Sequence, residues 1–407
     1  VQPFVALAVG LQQRGHAVRL AAPHRFEGFV RQHAVEFTPL AGEPEVLSRI
    51  LNDAGSDVGR IVRGMRAYVL SIAPEVVKAA RQSLVGAELV VHSFLFTTGA
   101  HSYARELGIP DVSVQLFPVF APTRAFANVA VERRLPGWMN YFSHWLGTQV
   151  FWHGGNAGYR QLRRGAPADF PQRLYWPFSP EQCAPTPRIF AYSPAVVPRP
   201  NDWQDPGIAI TGYFFLDKSN APPDAALDEF IGSGPAPVCV SFGSTLNRDT
   251  QKVMQEAMTA LKRDGSRAIF LTGWGGWQPD VHDKQFFFVD SASHNWLFPR
   301  CKLIVHHGGA GTTGAGLRSG KPNLVIPHAS DQPFWGNRVA EIGAGPIPIH
   351  VRAFSAERFL AGLEQAQSDA IREKADSIGR TIRAEDGVGR AIEIIERHAA
   401  EFRSKAS

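Results

Sequence analysis

At 407 residues, 44% of them apolar and 19% charged, the chain is too long for one ordinary core and too apolar for a disordered one, which favours two domains of about 150–200 residues each. Forty-two basic against 37 acidic residues leave a net charge of +5, a mild excess that suits an anionic ligand or a membrane surface. The excess is dispersed, and its tightest group, Arg160 with Arg163 and Arg164, reads as a solvated helix face, which argues against nucleic acid as a partner.

Cys183, Cys239 and Cys301 are too few and too far apart for a Cys-x-x-Cys metal or redox motif. They suit a reducing compartment, so a cytoplasmic location is expected. No run approaches the roughly 18 apolar residues of a membrane helix, and no charged-then-apolar leader pattern stands at the start. Any membrane contact would therefore be peripheral. No feature of the sequence sets an oligomeric state.

In chain order, Gln2–Arg14 reads as a helix, with Pro3 suited to its first turn and Gly15 to its end. Strand Ala17–Ala21, helix Phe26–Gln32, strand Val35–Pro39 and helical patterns over Glu45–Leu84 follow, then strand Leu89–His92, helix Thr98–Leu107 and strand Asp111–Gln115. Such alternation predicts an α/β class, a doubly wound parallel sheet covered on both faces. A parallel domain ordinarily opens on a strand, so a first strand is expected upstream of Val1.

Aromatic residues then crowd the stretch Phe117–Trp152. They suit either a core helix pair or an apolar pocket, with Phe117, Phe120, Trp138, Phe142 and Trp145 as its candidate walls. Pro185, Pro187, Pro194, Pro198, Pro200 and Pro206 surround the strand-like Ile189–Ser193, and proline at this density breaks regular structure. A domain boundary is expected there: residues 1–196 as the first domain, 197–206 as a linker and 207–387 as the second domain. Strands in the second part are expected at Ile208–Thr211, Val238–Phe242, Ala268–Thr272, Phe286–Val289, Leu303–His306 and Asn323–Pro327. A closing helix, 388–407, places Val388, Ala391, Ile392 and Ile395 on one face and is suited to packing back across the junction.

The strongest local signal is Leu303 to Gly314, an apolar strand running through His306 and His307 into a Gly-rich turn and then a helix. Glycines let the backbone approach a phosphate, a helix N-terminus offers unpaired N–H donors, and Thr312 and Thr313 add hydroxyls. Gly309, Gly311 and Gly314 also satisfy G-x-G-x-x-G, with Asp331 spaced as a ribose-binding acid. A dehydrogenase fits poorly, because Asp331 falls in a loop after Pro327 rather than at a strand end, and paired histidines have no role beside a nicotinamide. His306 and His307 point opposite ways along a strand, so one is expected packed and the other turned to the phosphates. Val240 to Thr245 forms a second strand-to-helix turn, and no HExxH or Asp-x-Asp pattern suggests a metal.

Together these segments resemble the glycosyltransferases with two facing Rossmann-like domains, the GT-B fold, and especially the sterol glucosyltransferases and related antibiotic-modifying enzymes. The resemblance rests on Val1–Phe4 with Arg14–His16, Ser241–Ser244, His294–Pro299, His306–Thr313 and Ser330–Asn337, and it spans the chain. It implies that Ser244, His307, Ala310, Gly311 and Thr312 meet a donor diphosphate, that Ser293 and His294 lie at the nucleoside, and that Asp331 and Gln332 hydrogen-bond the hexose. An N-cap role on the following helix is the plainer alternative for Asp331. Trp274, Gly309 and Thr313 complete the candidate donor set. The general base of these families is an Asp just before Val-Gln-Pro, expected here upstream of Val1, so no catalytic base is assigned.

The implied reaction is an inverting, metal-independent transfer with no cofactor. Its partners are a nucleotide-sugar donor, UDP-glucose by resemblance, and an apolar alcohol acceptor such as a sterol. A sugar-nucleotide epimerase and a non-catalytic nucleotide-sugar binding protein are the rival readings.

Overall fold

A computed structural model describes residues 1–43, 46, 50, 58–163, 171, 173–178, 185–216, 224–242, 248–273 and 283–406. All strand pairs described are parallel, and they form three sheets in two halves. In the first half β1 (Arg19–Pro23) pairs with β2 (Glu36–Leu40), while β3 (Val90–His92), β4 (Asp111–Gln115), β5 (Arg188–Phe190) and β6 (Ile208–Ile210) lie side by side in that order. The second half is one five-stranded sheet. Its order is β11 (Asn323–Val325), β10 (Leu303–His306), β7 (Val238–Ser241), β8 (Ala268–Leu271), β9 (Phe286–Val289). Fully buried side chains such as Val112, Val114, Val240 and Ile304 show that both faces of the four- and five-stranded sheets are covered.

Helix α1 (Gln2–Gln13) joins the two small sheets of the first half. Its Val5 and Ala8 pack with Ala22 and Phe37 beside the β1–β2 pair, and its Ala6, Leu7 and Leu11 pack with Val112, Val114 and Ile189 beside the four-stranded sheet. Pro3 stands in its first turn, and Gly15, at φ 91°, takes the left-handed turn that ends it. After α2 (Glu27–Arg31), the long α3 (Val58–Leu84) covers β1 and β2. The helical pattern expected from Glu45 is described continuously only from Val58; 44–45, 47–49 and 51–57 lie outside the described residues. Helices α4 (Thr97–Leu107) and α5 (Gly137–Arg163) complete this half.

The expected boundary moves. Ile208–Ile210, expected as the first strand of the second domain, pairs with Arg188–Phe190 and so belongs to the first sheet. The proline-rich 197–206 segment is the connection between β5 and β6, held down by the buried Trp203 and by Arg199, whose guanidinium donates to the Trp203 and Asp205 carbonyls. Proline removed regular structure there without ending the domain.

The second half carries α6 (Ala225–Gly232), α7 (Arg248–Asp264), α8 (His294–Leu297), α9 (Ala310–Arg318), α10 (Gln332–Glu341), α11 (Ala356–Ala366) and α12 (Asp369–Arg383). The last helix, α13 (Gly387–Ala406), returns to the first half as its apolar face requires. Ala391, Ile392 and Ile395 are buried with Ala6, Leu7 and Leu11 of α1, and each buried Ile contributes roughly 1.5–3 kcal/mol. His16 adds a 2.9 Å hydrogen bond to Glu396.

Candidate functional site

Strand order places the site. From β7 the sheet grows one way through β8 and β9 and then the other way through β10 and β11, so the chain reverses direction between β7 and β10. Open α/β sheets bind ligands outside the carboxyl ends of the strands at such a reversal. Those ends are Ser241 and His306, leading into Phe242 and into His307-Gly308-Gly309.

The turn after β10 is built by its glycines. Gly308 has φ 90°, and a Cβ there would lie 2.8 Å from Val325 and 2.9 Å from the Gln332 carbonyl. A Cβ on Gly309 would fall 2.5 Å from the His307 ring. Gly311, in the first turn of α9, meets nothing within 4 Å. Helix α9 thus begins at Gly309 with no side-chain cap and its first turn open, and uncapped N–H groups and the helix dipole make that end an anion site.

The histidine pair divides as the strand period requires. His306 is buried and satisfied, its Nε2 3.0 Å from Asn323 Oδ1 and its Nδ1 accepting from the Gly308 N–H. His307 has Nδ1 buried with no partner. Burial lowers His306 to about 3 and His307 to about 4, with the Ser241 backbone carbonyl partly opposing the shift at His307. Both are neutral at pH 7; with the Ser241 carbonyl accepting the other ring N–H, the unpaired His307 Nδ1 carries a lone pair, so it accepts from a ligand hydroxyl and donates to an anion only by taking up a second proton. Thr313 Oγ1 and His328 Nε2 are likewise buried without a partner. Three unpaired polar groups at one end of a sheet are costly unless a ligand satisfies them.

Ser293 precedes the short α8, and His294 stacks on Phe298 at 4.3 Å; burial and the neighbouring His307 lower it to about 4. Asp331 stands at the start of α10 but does not cap it: its Oδ2 accepts from the Trp335 indole at 2.9 Å. Burial raises its carboxyl. The Gln332 side-chain carbonyl accepts from the His328 N–H at 2.8 Å, which shapes the loop around Ser330, a non-glycine residue at φ 64°. Left-handed backbone at such a residue marks a functional loop often enough to note. The close approach of Gly308 to Gln332 brings this loop against the Gly-rich turn.

The structure therefore gathers His307, Gly309, Ala310, Gly311, Thr312, Thr313, Asp331 and Gln332 along the ends of β10 and β11, and His294 joins Ala310 and Gly311 around one cleft. Ser244 and Trp274 lie outside the described residues. The cleft is also lined by Gln2, Pro3, Leu116 and Ala191 of the first half, by Tyr213, Phe214 and Phe215 of the connection, and by Asn295. None of these was picked from the sequence. Gln2, Pro3 and Asn295 lay in segments that carry the resemblance without a role of their own, and His328 lay in a loop already suspected.

The aromatic stretch separates into two populations. Phe120, buried and at φ 59°, is surrounded by Phe94, Phe151, Trp176 and Phe178 at centroid distances of 4.8–5.8 Å, and Phe117 sits 5.2 Å from Phe94. Arg188 fixes the strained turn by donating to the Phe120 carbonyl at 2.6 Å and lying 4.7 Å over Phe178. This cluster stands at the carboxyl ends of β3 and β4, next to cleft residue Leu116. Trp138, Phe142 and Trp145, expected as walls of the same pocket, are instead 68%, 53% and 47% exposed on α5. Among the described residues no group of three or more His, Cys, Asp or Glu is arranged to hold a metal, and no helix is long and apolar enough to cross a membrane.

Residues 1–99 match the glycosyltransferase family 28 N-terminal domain, and residues 287–386 match the erythromycin biosynthesis protein CIII-like C-terminal domain. A sterol 3-beta-glucosyltransferase of Arabidopsis thaliana is 32% identical over 98% of the chain, and one of Neurospora crassa 31% over the same share. The chain spans 63% of the first relative's length and 26% of the second's. Among solved structures, the glycotransferase of kitacinnamycin superposes with a TM-score of 0.69 at 18% identity, over 98% of this chain and 95% of that one. The Streptomyces sp. SF2575 glycosyltransferase SsfS6, complexed with thymidine diphosphate, gives 0.56 at 17% identity over 98% and 96%.

Proposed function

We propose that this chain, a GT-B-fold homologue of the sterol 3-beta-glucosyltransferases, transfers a hexose from a UDP-sugar, UDP-glucose first among them, to the hydroxyl of an apolar alcohol of the sterol class. The observation that carries this is the open, uncapped start of α9 at the sheet reversal, with Gly311 facing empty space and His307 Nδ1 unpaired. The acceptor oxygen attacks the anomeric carbon, its proton passes to a base on the first half, and the bond to the diphosphate oxygen breaks with inversion. Charge arriving on the diphosphate meets donors already in place, the N–H groups of the first α9 turn and Thr312, and it draws onto His307 Nδ1 the second proton with which that ring donates. Metal is not needed for that step, and EDTA should leave turnover intact.

Asp331 and Gln332 receive the sugar hydroxyls, and Ser293 and His294 the nucleoside. The apolar acceptor lies against Phe94, Phe117, Phe120 and Phe151, and the cleft between the halves brings it to the donor. The unbridged Cys239 and Cys301 support a reducing, cytoplasmic setting.

The test is calorimetric titration of UDP and UDP-glucose in EDTA, on this chain and on Asp331→Ala, followed by turnover with a sterol and assignment of the product anomer by NMR. Binding of both ligands, with UDP-glucose alone weakened by the substitution, and a product of inverted configuration are expected. Hexose conversion without any acceptor would replace transfer by epimerisation, and donor binding with no product would leave a binding protein.

A further inference from the structure

Helix α5 is amphipathic in the wrong sense. Its buried side is polar: Asn140 and His144 are 6% and 2% exposed. Asn140 Nδ2 donates to the Arg124 carbonyl at 3.0 Å, Ser143 Oγ accepts from the Asn128 N–H at 2.9 Å, and His144 Nε2 lies 3.0 Å from the Phe126 carbonyl. Its outer side is apolar: Trp138, Tyr141, Phe142, Trp145, Leu146 and Val150 are each at least 47% exposed. Spacings of three and four residues put these six on one face. They are six of the eleven large apolar side chains that stand exposed among the described residues. Scattered exposed apolar residues are ordinary, whereas a contiguous patch marks an interaction surface.

We infer that this face of α5 docks on an anionic phospholipid bilayer, lying in the interface plane with its aromatic rings at headgroup depth. Trp and Tyr favour that depth because one edge of the ring is apolar and the other can hydrogen-bond. Charge agrees. The 27 residues of α5 include no Asp or Glu. Arg134, just before it, is paired with Glu341 at 3.0 Å and Arg133 stands beside exposed Glu132, whereas exposed Arg160 and Arg163 lie in its last turns, so its C-terminal end is the one drawn to an anionic surface.

The inner end of the helix supplies the link to the site. Phe151, on the next turn after Trp145 to Val150, is 5.2 Å from Phe94 and 4.8 Å from Phe120. One helix thus carries the bilayer face and a wall of the aromatic cluster. The inference deepens the proposed transfer by stating where the apolar alcohol is met, and lipid binding is measured without turnover, so the two readings fail separately.

The experiment is flotation of the full chain with vesicles of phosphatidylcholine, with and without phosphatidylserine, comparing it with the Tyr141→Glu/Leu146→Glu double variant. Both positions are exposed, so the fold should survive, and an unchanged thermal midpoint checks this. Expected is stronger binding with phosphatidylserine and a loss of about tenfold or more in the variant. Turnover of a detergent-dispersed acceptor should be unchanged, and turnover of a vesicle-borne one should fall with binding. No flotation of the unaltered chain, or equal flotation of the variant, overturns the inference. So does an equal loss on the dispersed acceptor, which would assign the face to the acceptor site, or a dimer that the substitutions dissociate.

Discussion

Both halves bury histidine at the ends of their strands, and they do so in opposite ways. In the first half His92 and His101 share the Asp111 carboxylate at 2.8 and 3.0 Å, Thr186 donates to it, and all four are buried. Burial alone would raise that carboxyl, but hydrogen bonds and charge from His101 and His92 outweigh it and hold Asp111 well below the usual range. In the second half His294, His306, His307 and His328 have no acid among the causes of their shifts, and all are held neutral. The first-half pair is held by an acid, although His92 also keeps a buried Nδ1 without a partner. Neutral histidines with a vacant nitrogen, as at His307 and His328, keep an unmade hydrogen bond available, at the end of the sheet where the proposed diphosphate would lie.

Breaking the first arrangement should cost most. Asp111→Ala strands two imidazoles and a hydroxyl, and urea unfolding should show a loss of about 3–5 kcal/mol. A loss under 1 kcal/mol would mean the histidines find other partners. His307→Ala should behave conversely: kcat falling by roughly 10²–10³, with a much smaller change in stability. Equal damage to both would make His307 structural.

Acid separates the halves next. The four donor-side histidines stand near 3 to 4 against 6.5 when unfolded, so the unfolded chain binds more protons in that interval. Their contribution is complete above pH 6.5 and drains away as pH falls toward about 4, each withholding roughly 3 kcal/mol at the limit. Asp111, held below 3.8, keeps its contribution through that interval and loses it only at lower pH. Thermal midpoints should therefore drop steeply between pH 6.5 and 4, and the drop should be shallower in His306→Asn. A flat profile would show that these histidines are not buried neutral. The smallest effect sharpens the site itself. Gly311→Ala has open space for its methyl and should gain up to about 1 kcal/mol of helix stability, while UDP binding weakens because the methyl occupies the phosphate position.

What the sequence displayed and what it hid follow from the range of the forces involved. Asp111–Gln115, Phe286–Val289 and Leu303–His306 matched their strands to the residue: the last two are short apolar runs, and the first alternates Val112 and Val114 with polar residues. The opposed roles of His306 and His307 followed from strand alternation alone. Ile208–Ile210 was assigned to the wrong sheet because pairing with Arg188–Phe190 depends on a partner that local pattern does not name. Trp138, Phe142 and Trp145 read as pocket walls because an apolar stripe ordinarily faces inward. That Asn140, Ser143 and His144 hold the inner side depends on the Arg124, Phe126 and Asn128 backbone, which only the fold brings near. Tyr213 reached the cleft by tertiary placement with no motif to announce it.

The chain passes between the halves at two places, around Gly212 and around Gly387, and these crossings touch. A Cβ on Gly387 would lie 2.4 Å from the Tyr213 carbonyl and 2.7 Å from that of Gly212, and the Tyr213 ring leaves no room for a Cβ on Gly314 of α9, at 2.7 Å. Two strands of a tether clamped at one point form a fulcrum. Rotation of one half against the other about it sweeps the far rims of the cleft widely and barely displaces α9, as a door moves little beside its hinge. For the proposed transfer, opening to admit a bulky acceptor and keeping hold of a diphosphate would then cease to compete, because the grip is placed where the lever arm is shortest.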